Sequence, residues 1–412
     1  MNMKKTLILL LTLAILLGTG SSALAYGAEH EHVYDPEAGN GICTVCGSYC
    51  RHPVWLDGVC QTCGARCQHP SWQDGRCTLC RMLCPHEEHG VSSMRCTVCG
   101  EFVPHTYENG VCVMCGEGPW FQSEQLPAYL FAPSAHKGSI QTLSYQTHNY
   151  ALEMAGEHPA SYTKQMCVYL PYGYDATKPY DVLVLMHGMG GGENYWLVNE
   201  QVYFDPPAAK VKTTDLIENM VDLGTAREMI IVTPTFYINS NDMNAYNRYR
   251  EQDQFVMELR NDILPLVVEK FSTYAAEPTC EAISAVREHF AYAGLSMGSI
   301  YGYNAVMPLC LDLFAWFGEF SGAECWTDLV IRALNSSNYK EYPILWFYNA
   351  AGTGDNMFPN HQQQYQTLVQ QCPGLTDGVN ASFTKVTGVF HEYKAWGTGL
   401  YNFLLVLFAD HK

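Results

Sequence analysis

Basic residues are scarce in this chain. Against 41 Asp and Glu stand 23 Lys and Arg, for a formal net charge of −18. Such a surface repels polyanions, which argues against nucleic acid and anionic membranes as partners. Long apolar runs are missing as well: beyond the N-terminus no stretch is long enough to cross a bilayer, so no membrane span is expected. The one glycine-rich loop of note lacks a following Gly-Lys-Ser/Thr, which removes a phosphate cradle from consideration. No motif for a catalytic cofactor occurs. Cysteine is thin over most of the length, with only five of the 18 falling after Cys115.

What is present begins with a leader. Lys4 and Lys5 precede an apolar run from Leu7 to Leu17, and Ala23-Leu24-Ala25 follows as a small-residue cleavage site. This is the layout of a secretory signal peptide, residues 1–25, cut after Ala25. No cysteine sits at the cut, which argues against a lipoprotein. The mature chain is expected to be exported. With 48% hydrophobic and 13% aromatic residues, it can bury at least one large core.

Residues 26–118 are an internal repeat rich in Cys and His. Cys43-x-x-Cys46, Cys60-x-x-Cys63, Cys77-x-x-Cys80, Cys96-x-x-Cys99 and Cys112-x-x-Cys115 recur, most of them after a His, a Trp or Tyr, and an (Asp/Asn)-Gly turn. Upstream of the first four pairs lie His30-x-His32, Cys50-x-His52, Cys67-x-His69 and Cys84-x-His86. Each of those units therefore offers four ligands, the inventory of a closed tetrahedral zinc site. The fifth keeps His105 but has Val103 in place of the upstream Cys. Units this short cannot bury a core, so structural zinc in ribbon-like or treble-clef-like repeats is expected to supply the folding energy. A disulfide framework is the alternative in an exported protein. Thirteen cysteines is an odd number, however, and disulfides give the recurring His no role. Repeat aromatics leave contact with a surface or a carbohydrate open.

Residues 119–412 read as a large α/β domain. Apolar, β-rich runs occur at 166–170, 182–186, 229–233, 290–293, 314–320, 344–349 and 382–389. Helical periodicity is clearest over 252–274, where Phe255, Leu259, Ile263, Leu266 and Val267 share a face and Pro265 predicts a kink. Strands alternating with helices predict a mostly parallel sheet covered on both faces, with functional groups at the carboxyl ends of the strands.

Four features collect at those ends. Gly294-Leu295-Ser296-Met297-Gly298 follows an apolar run and opens a helix; such a strained turn exposes a serine hydroxyl beside backbone N–H groups. His187-Gly-Met-Gly-Gly-Gly192 follows another strand, and its flexible backbone suits an oxyanion hole. The expected donors are the N–H groups of Met297 and Met189, with His187 shaping the loop rather than acting as base. Asp355 lies just beyond the run at 344–349, with Asp377 the other candidate acid. His391 lies just beyond the run at 382–389, whereas His361 stands too near Asp355 in sequence to be the base. The order Ser296, Asp355, His391 is that of an α/β-hydrolase triad.

The domain resembles the feruloyl and acetylxylan esterases of carbohydrate esterase family one, related to the esterase D group. The resemblance rests on Tyr169-Leu-Pro-Tyr-Gly-Tyr174, Leu185-Met-His-Gly188, the Ser296 turn, and Phe390-His-Glu-Tyr-Lys-Ala-Trp396 with the helix after it. It departs at Phe390 and Tyr393, where the family often has Gly and Trp, and at Ser299 after the Ser296 turn. The resemblance implies an α/β-hydrolase fold and hydrolysis of feruloyl esters of plant xylan. Acetylxylan, another small-acyl ester or a siderophore ester is the alternative substrate. A surface-binding protein with an inert hydrolase fold is the reading from another class. Trp396 and Tyr393 are candidates to line the acyl pocket, with the core as their alternative place.

Overall fold

The structure is a computed structural model. It describes residues 123–409 except 127, 155, 204–208, 238–253 and 323–326, together with the backbone of four short hairpins nearer the N-terminus. The chain divides into two compact units, Met1–Val103 and Pro104–Lys412.

The hairpins carry the repeat. Each pairs two residues antiparallel with two, in the registers Trp55↔Cys60, Trp72↔Cys77, Val91↔Cys96 and Tyr107↔Cys112. In the sequence, the pairs at 55–60, 72–77 and 107–112 are separated by Asp57-Gly58, Asp74-Gly75 and Asn109-Gly110, dipeptides favoured in tight hairpins. The side chains proposed as metal ligands, from His30 to Cys115, lie outside the described residues, as does the leader.

The larger unit is built on one eight-stranded sheet. Its strands are β1 (Ser139–Thr147), β2 (Tyr162–Leu170), β3 (Asp181–Met186), β4 (Met229–Thr233), β5 (Phe290–Leu295), β6 (Trp316–Phe320), β7 (Trp346–Gly352) and β8 (Ala381–Val386). Across the sheet the order is β8-β7-β6-β5-β3-β4-β2-β1. The six strands from β8 to β4 are parallel, while β2 runs antiparallel to both β4 and β1. Every residue of β3, β4, β5, β6 and β7 is buried. That is why these strands read as continuous apolar runs: a parallel strand covered on both faces has no solvent side. The edge strand β1 is mostly exposed, and no apolar run marks it.

Helices cover both faces. On one side lie α1 (Thr213–Asp222) and α6 (Tyr393–Val406); on the other lie the helix over residues 254–270, α3 (Met297–Tyr301), α4 (Thr327–Leu334) and α5 (Phe358–Gln371). The 254–270 helix takes a π-helical turn at Leu259–Ile263 before its last segment α2, Leu264–Lys270, which has Pro265 in its first turn. The wide turn absorbs the missing Pro N–H and inserts a residue. It consequently turns Leu264 fully into the core and leaves Leu266 only partly buried. Eleven of the 14 residues of α6 are buried, which seats it firmly against the sheet. Phe403 packs on Phe320 and Tyr348, and each such buried ring contributes roughly 1.5–3 kcal/mol. Gly399 is small because a β-carbon there would stand 2.7 Å from the Phe320 ring. Among the described residues, no helix is long and apolar enough to cross a membrane.

Candidate active site

Ser296 sits between β5 and α3 with φ 49° and ψ −114°. Positive φ is costly for a residue with a β-carbon and persists only where neighbours enforce it. Here they do. Ser296 N–H donates to the Phe320 carbonyl at 2.7 Å, and its own carbonyl accepts from Ile300 N–H at 3.0 Å. The flanking glycines follow from close approach. A β-carbon at Gly294 would lie 2.5 Å from the Gly298 carbonyl carbon, and one at Gly298 would lie 2.6 Å from the His187 oxygen.

Asp355 follows β7 and His391 follows β8. Their loops are stitched together: Thr353 N–H donates to Val386 C=O, Gly354 N–H to Val389 C=O, and Gly388 N–H to Thr353 Oγ1. Gly352 permits this approach, since a β-carbon there would fall 2.1 Å from the Val389 oxygen.

The three side chains meet at the rim. His391 Nδ1–H donates to Asp355 Oδ2 at 2.8 Å, and His391 Nε2 lies 3.0 Å from Ser296 Oγ. Because a carboxylate only accepts, the first bond fixes the imidazole tautomer and leaves Nε2 free to take the serine proton. Asp355 Oδ1 accepts from Met357 N–H at 2.8 Å. Burial pushes the Asp355 carboxyl up. The hydrogen bond from His391 opposes this, with help from Met357 N–H and the Ser321 hydroxyl, and the carboxyl ends below its ordinary value. The carboxylate is enclosed, whereas the His391 ring is one-third exposed, so the pair faces outward at its reactive end.

Ser296 stands at the N-terminus of α3 and beside the glycine-rich loop after β3. Met297 N–H is at the first helical position, where no intrahelical acceptor is available. In the glycine-rich loop, Gly190 N–H donates to Tyr237 Oη and Gly191 N–H to Gly188 C=O. Met189 is 60% exposed, so its side chain faces solvent.

The other expected residues divide. Trp396 places its ring edge-on to His391 with centroids 5.1 Å apart, bordering the site. Tyr393 takes the alternative place, in the core, and not a pocket wall. Only 3% exposed, it packs on Trp196 and hydrogen-bonds Thr213 Oγ1 at 2.9 Å. The first turn of α6 points it inward, toward α1. Asp377 hydrogen-bonds the Tyr365 hydroxyl in the loop before β8, at the opposite end of that strand from His391. His361 is buried on α5, donating to Asn349 Oδ1 at 3.0 Å.

Sequence reasoning missed two groups beside the site. Glu319 lies fully buried on β6, level with Gly294 in the sheet register. Burial raises its carboxyl far above the usual range, with the Ser299 hydroxyl opposing, so it is held neutral. Thr235 bonds His187, as described below. Neither residue belongs to a motif that would draw attention to it.

No protein-family model matches the chain. Over 216 residues, 50% of its length, the chain is 32% identical to endo-1,4-beta-xylanase Y of Acetivibrio thermocellus. The match spans 18% of that relative's own length. Among solved structures, the feruloyl esterase module from Clostridium thermocellum, a serine-to-alanine variant complexed with sinapinate, is 26% identical with a TM-score of 0.57. That likeness covers 70% of this chain and 94% of the module. The chain's structural neighbours are feruloyl esterases of carbohydrate esterase family one. A ferulic acid esterase of that family from the anaerobic fungus Anaeromyces mucronatus is 20% identical at a TM-score of 0.52, covering 69% of this chain and 97% of that one, and attests the fold. The larger unit thus has the α/β-hydrolase fold, with Ser296, Asp355 and His391 beyond the ends of β5, β7 and β8 of its parallel sheet.

Proposed function

We propose that this chain is an exported serine esterase that hydrolyses feruloyl esters of plant xylan. The observation that carries this reading is the continuous hydrogen-bonded path from Ser296 Oγ through His391 to Asp355, open to solvent at the serine. The similarity to a xylanase and to a feruloyl esterase module bound to sinapinate supports the choice of substrate.

In the proposed reaction His391 Nε2 takes the Ser296 proton as Oγ attacks the ester carbonyl. The oxyanion that forms is met by Met297 N–H and Met189 N–H. Collapse expels the sugar hydroxyl, which leaves with the proton from His391, and an acyl-enzyme remains on Ser296. Water, deprotonated by His391, then releases the acid. Asp355 keeps Nδ1 protonated and stabilises the transient imidazolium. Trp396, beside His391, lines the acyl pocket. No metal takes part in these steps. Zinc is proposed only as a structural element of residues 26–118, whose ligand sets repeat at fixed offsets, and those repeats are offered as a surface-contact or carbohydrate-contact region.

The test is turnover by the full chain of methyl ferulate, p-nitrophenyl acetate, and feruloylated and acetylated xylo-oligosaccharides. Ser296→Ala should lower kcat by a factor on the order of 10⁴–10⁶. Unchanged turnover in that variant would remove the nucleophile. Preference for the acetylated substrates would replace the feruloyl assignment with an acetylxylan one.

A further inference from the structure

Behind the glycine-rich loop runs a buried chain of hydrogen bonds that the reaction itself does not use. His187 is buried, and its Nδ1 lies 2.7 Å from Gly188 C=O. A carbonyl only accepts, so Nδ1 carries the proton and Nε2 is an acceptor. Thr235 Oγ1 lies 2.9 Å from Nε2 and fills that role as donor. Burial lowers the His187 pKa to about 4, which keeps the ring neutral and the tautomer defined. Thr235 is itself held. Its carbonyl accepts from Lys164 Nζ at 2.8 Å, and the same ammonium pairs with the buried Glu258 at 2.6 Å. Tyr237 N–H donates to Thr235 Oγ1 at 3.2 Å.

The consequence lies at the peptide between Gly188 and Met189. Its carbonyl receives two donors, His187 Nδ1–H and Gly191 N–H at 3.1 Å. In a trans peptide the C=O and N–H point opposite ways, so fixing the carbonyl on His187 fixes the direction of Met189 N–H.

We propose that Thr235 is a positioning residue for the oxyanion hole: its hydroxyl donates to His187 Nε2 and holds the ring in the orientation that anchors Gly188 C=O, and thereby keeps Met189 N–H on the reacting carbonyl. Without the hydroxyl, Nε2 is left as a buried acceptor with no donor, and the ring is no longer held from both sides. The Nδ1–H bond to Gly188 C=O then loosens, and the peptide is free to turn. This inference rests on the serine-esterase reading above.

Thr235→Val removes the donor with almost no change of volume. Its kcat on methyl ferulate should fall about tenfold to a hundredfold, short of the 10²–10³ for outright loss of an oxyanion donor, while KM changes less than about twofold. Thr235→Ser should restore kcat. ¹⁵N spectra of the imidazoles should show the unprotonated Nε2 of His187 move downfield, as its hydrogen bond is lost, in the valine variant only. A fluorophosphonate probe should label the fraction of folded variant that it labels in the unsubstituted chain. Wild-type kcat in Thr235→Val, a loss carried wholly by KM, or failure of serine to restore the rate would overturn the proposal. The controls separate it from the reading beneath it: an active parent chain silenced by Ser296→Ala leaves that reading standing whatever Thr235 does.

Discussion

Gly188 lies against the nucleophile: a β-carbon at 188 would stand 3.1 Å from Ser296 Cβ and 2.5 Å from Leu295 Cδ1. The loop of one strand end and the turn of its neighbour are in van der Waals contact, with Met186 paired to Gly294 in the β3–β5 register. The distance between serine oxygen and oxyanion donors is thus set by backbone on both sides.

Gly188→Ala should therefore separate those two backbones by several tenths of an ångström. Misplacement on that scale costs roughly tenfold to a hundredfold in rate. We expect kcat/KM on methyl ferulate to fall by that factor with the melting temperature lowered by only a few degrees. Steady-state kinetics beside a thermal melt checks this, and an unimpaired rate would mean that the loop gives way without cost.

His361 makes stability depend on pH. Burial lowers its pKa to about 3, whereas the unfolded side chain titrates near 6.5. Between those values the unfolded chain binds a proton that the folded one does not. Its contribution is therefore intact above about pH 6.5 and is lost progressively as pH falls toward 3. At pH 5 the loss is about 2 kcal/mol relative to pH 7.5. Replacing it with Gln, which can still donate to Asn349, should remove that share of the pH dependence. Urea unfolding of both proteins at the two pH values measures it; identical slopes would exclude His361 as the source.

The repeats should hold metal. Full-length protein purified without chelator is expected to carry about four zinc ions, released by EDTA together with the appearance of free thiols. Metal analysis with thiol counting checks this. Stoichiometric disulfide and no zinc would replace the metal reading of residues 26–118.

Much of the fold was legible because it is locally encoded. The run at 229–233 coincides with β4, and the runs at 182–186 and 290–293 fall inside β3 and β5, since strands enclosed on both faces must be apolar throughout. Strand β1 was not legible. An edge strand packs on one neighbour only, and its exposed residues carry no such pattern. The glycines flanking Ser296 were legible for a related reason: a backbone that passes within 3 Å of another admits no side chain, and that constraint is written at the position itself.

The residue types Ser, Asp and His, their order, and their places just beyond apolar runs follow from the sequence alone, because the chain direction of a parallel strand decides which end each loop occupies. Which aromatic faces the site was decided only by tertiary packing. Tyr393 and Trp396 lie three apart on one helix, yet the first is sealed against Trp196 and Thr213 while the second meets His391. The same holds for Thr235, which matters through an imidazole 48 residues away. Such roles depend on burial and on partners brought together from distant segments, and no local pattern of residues encodes them.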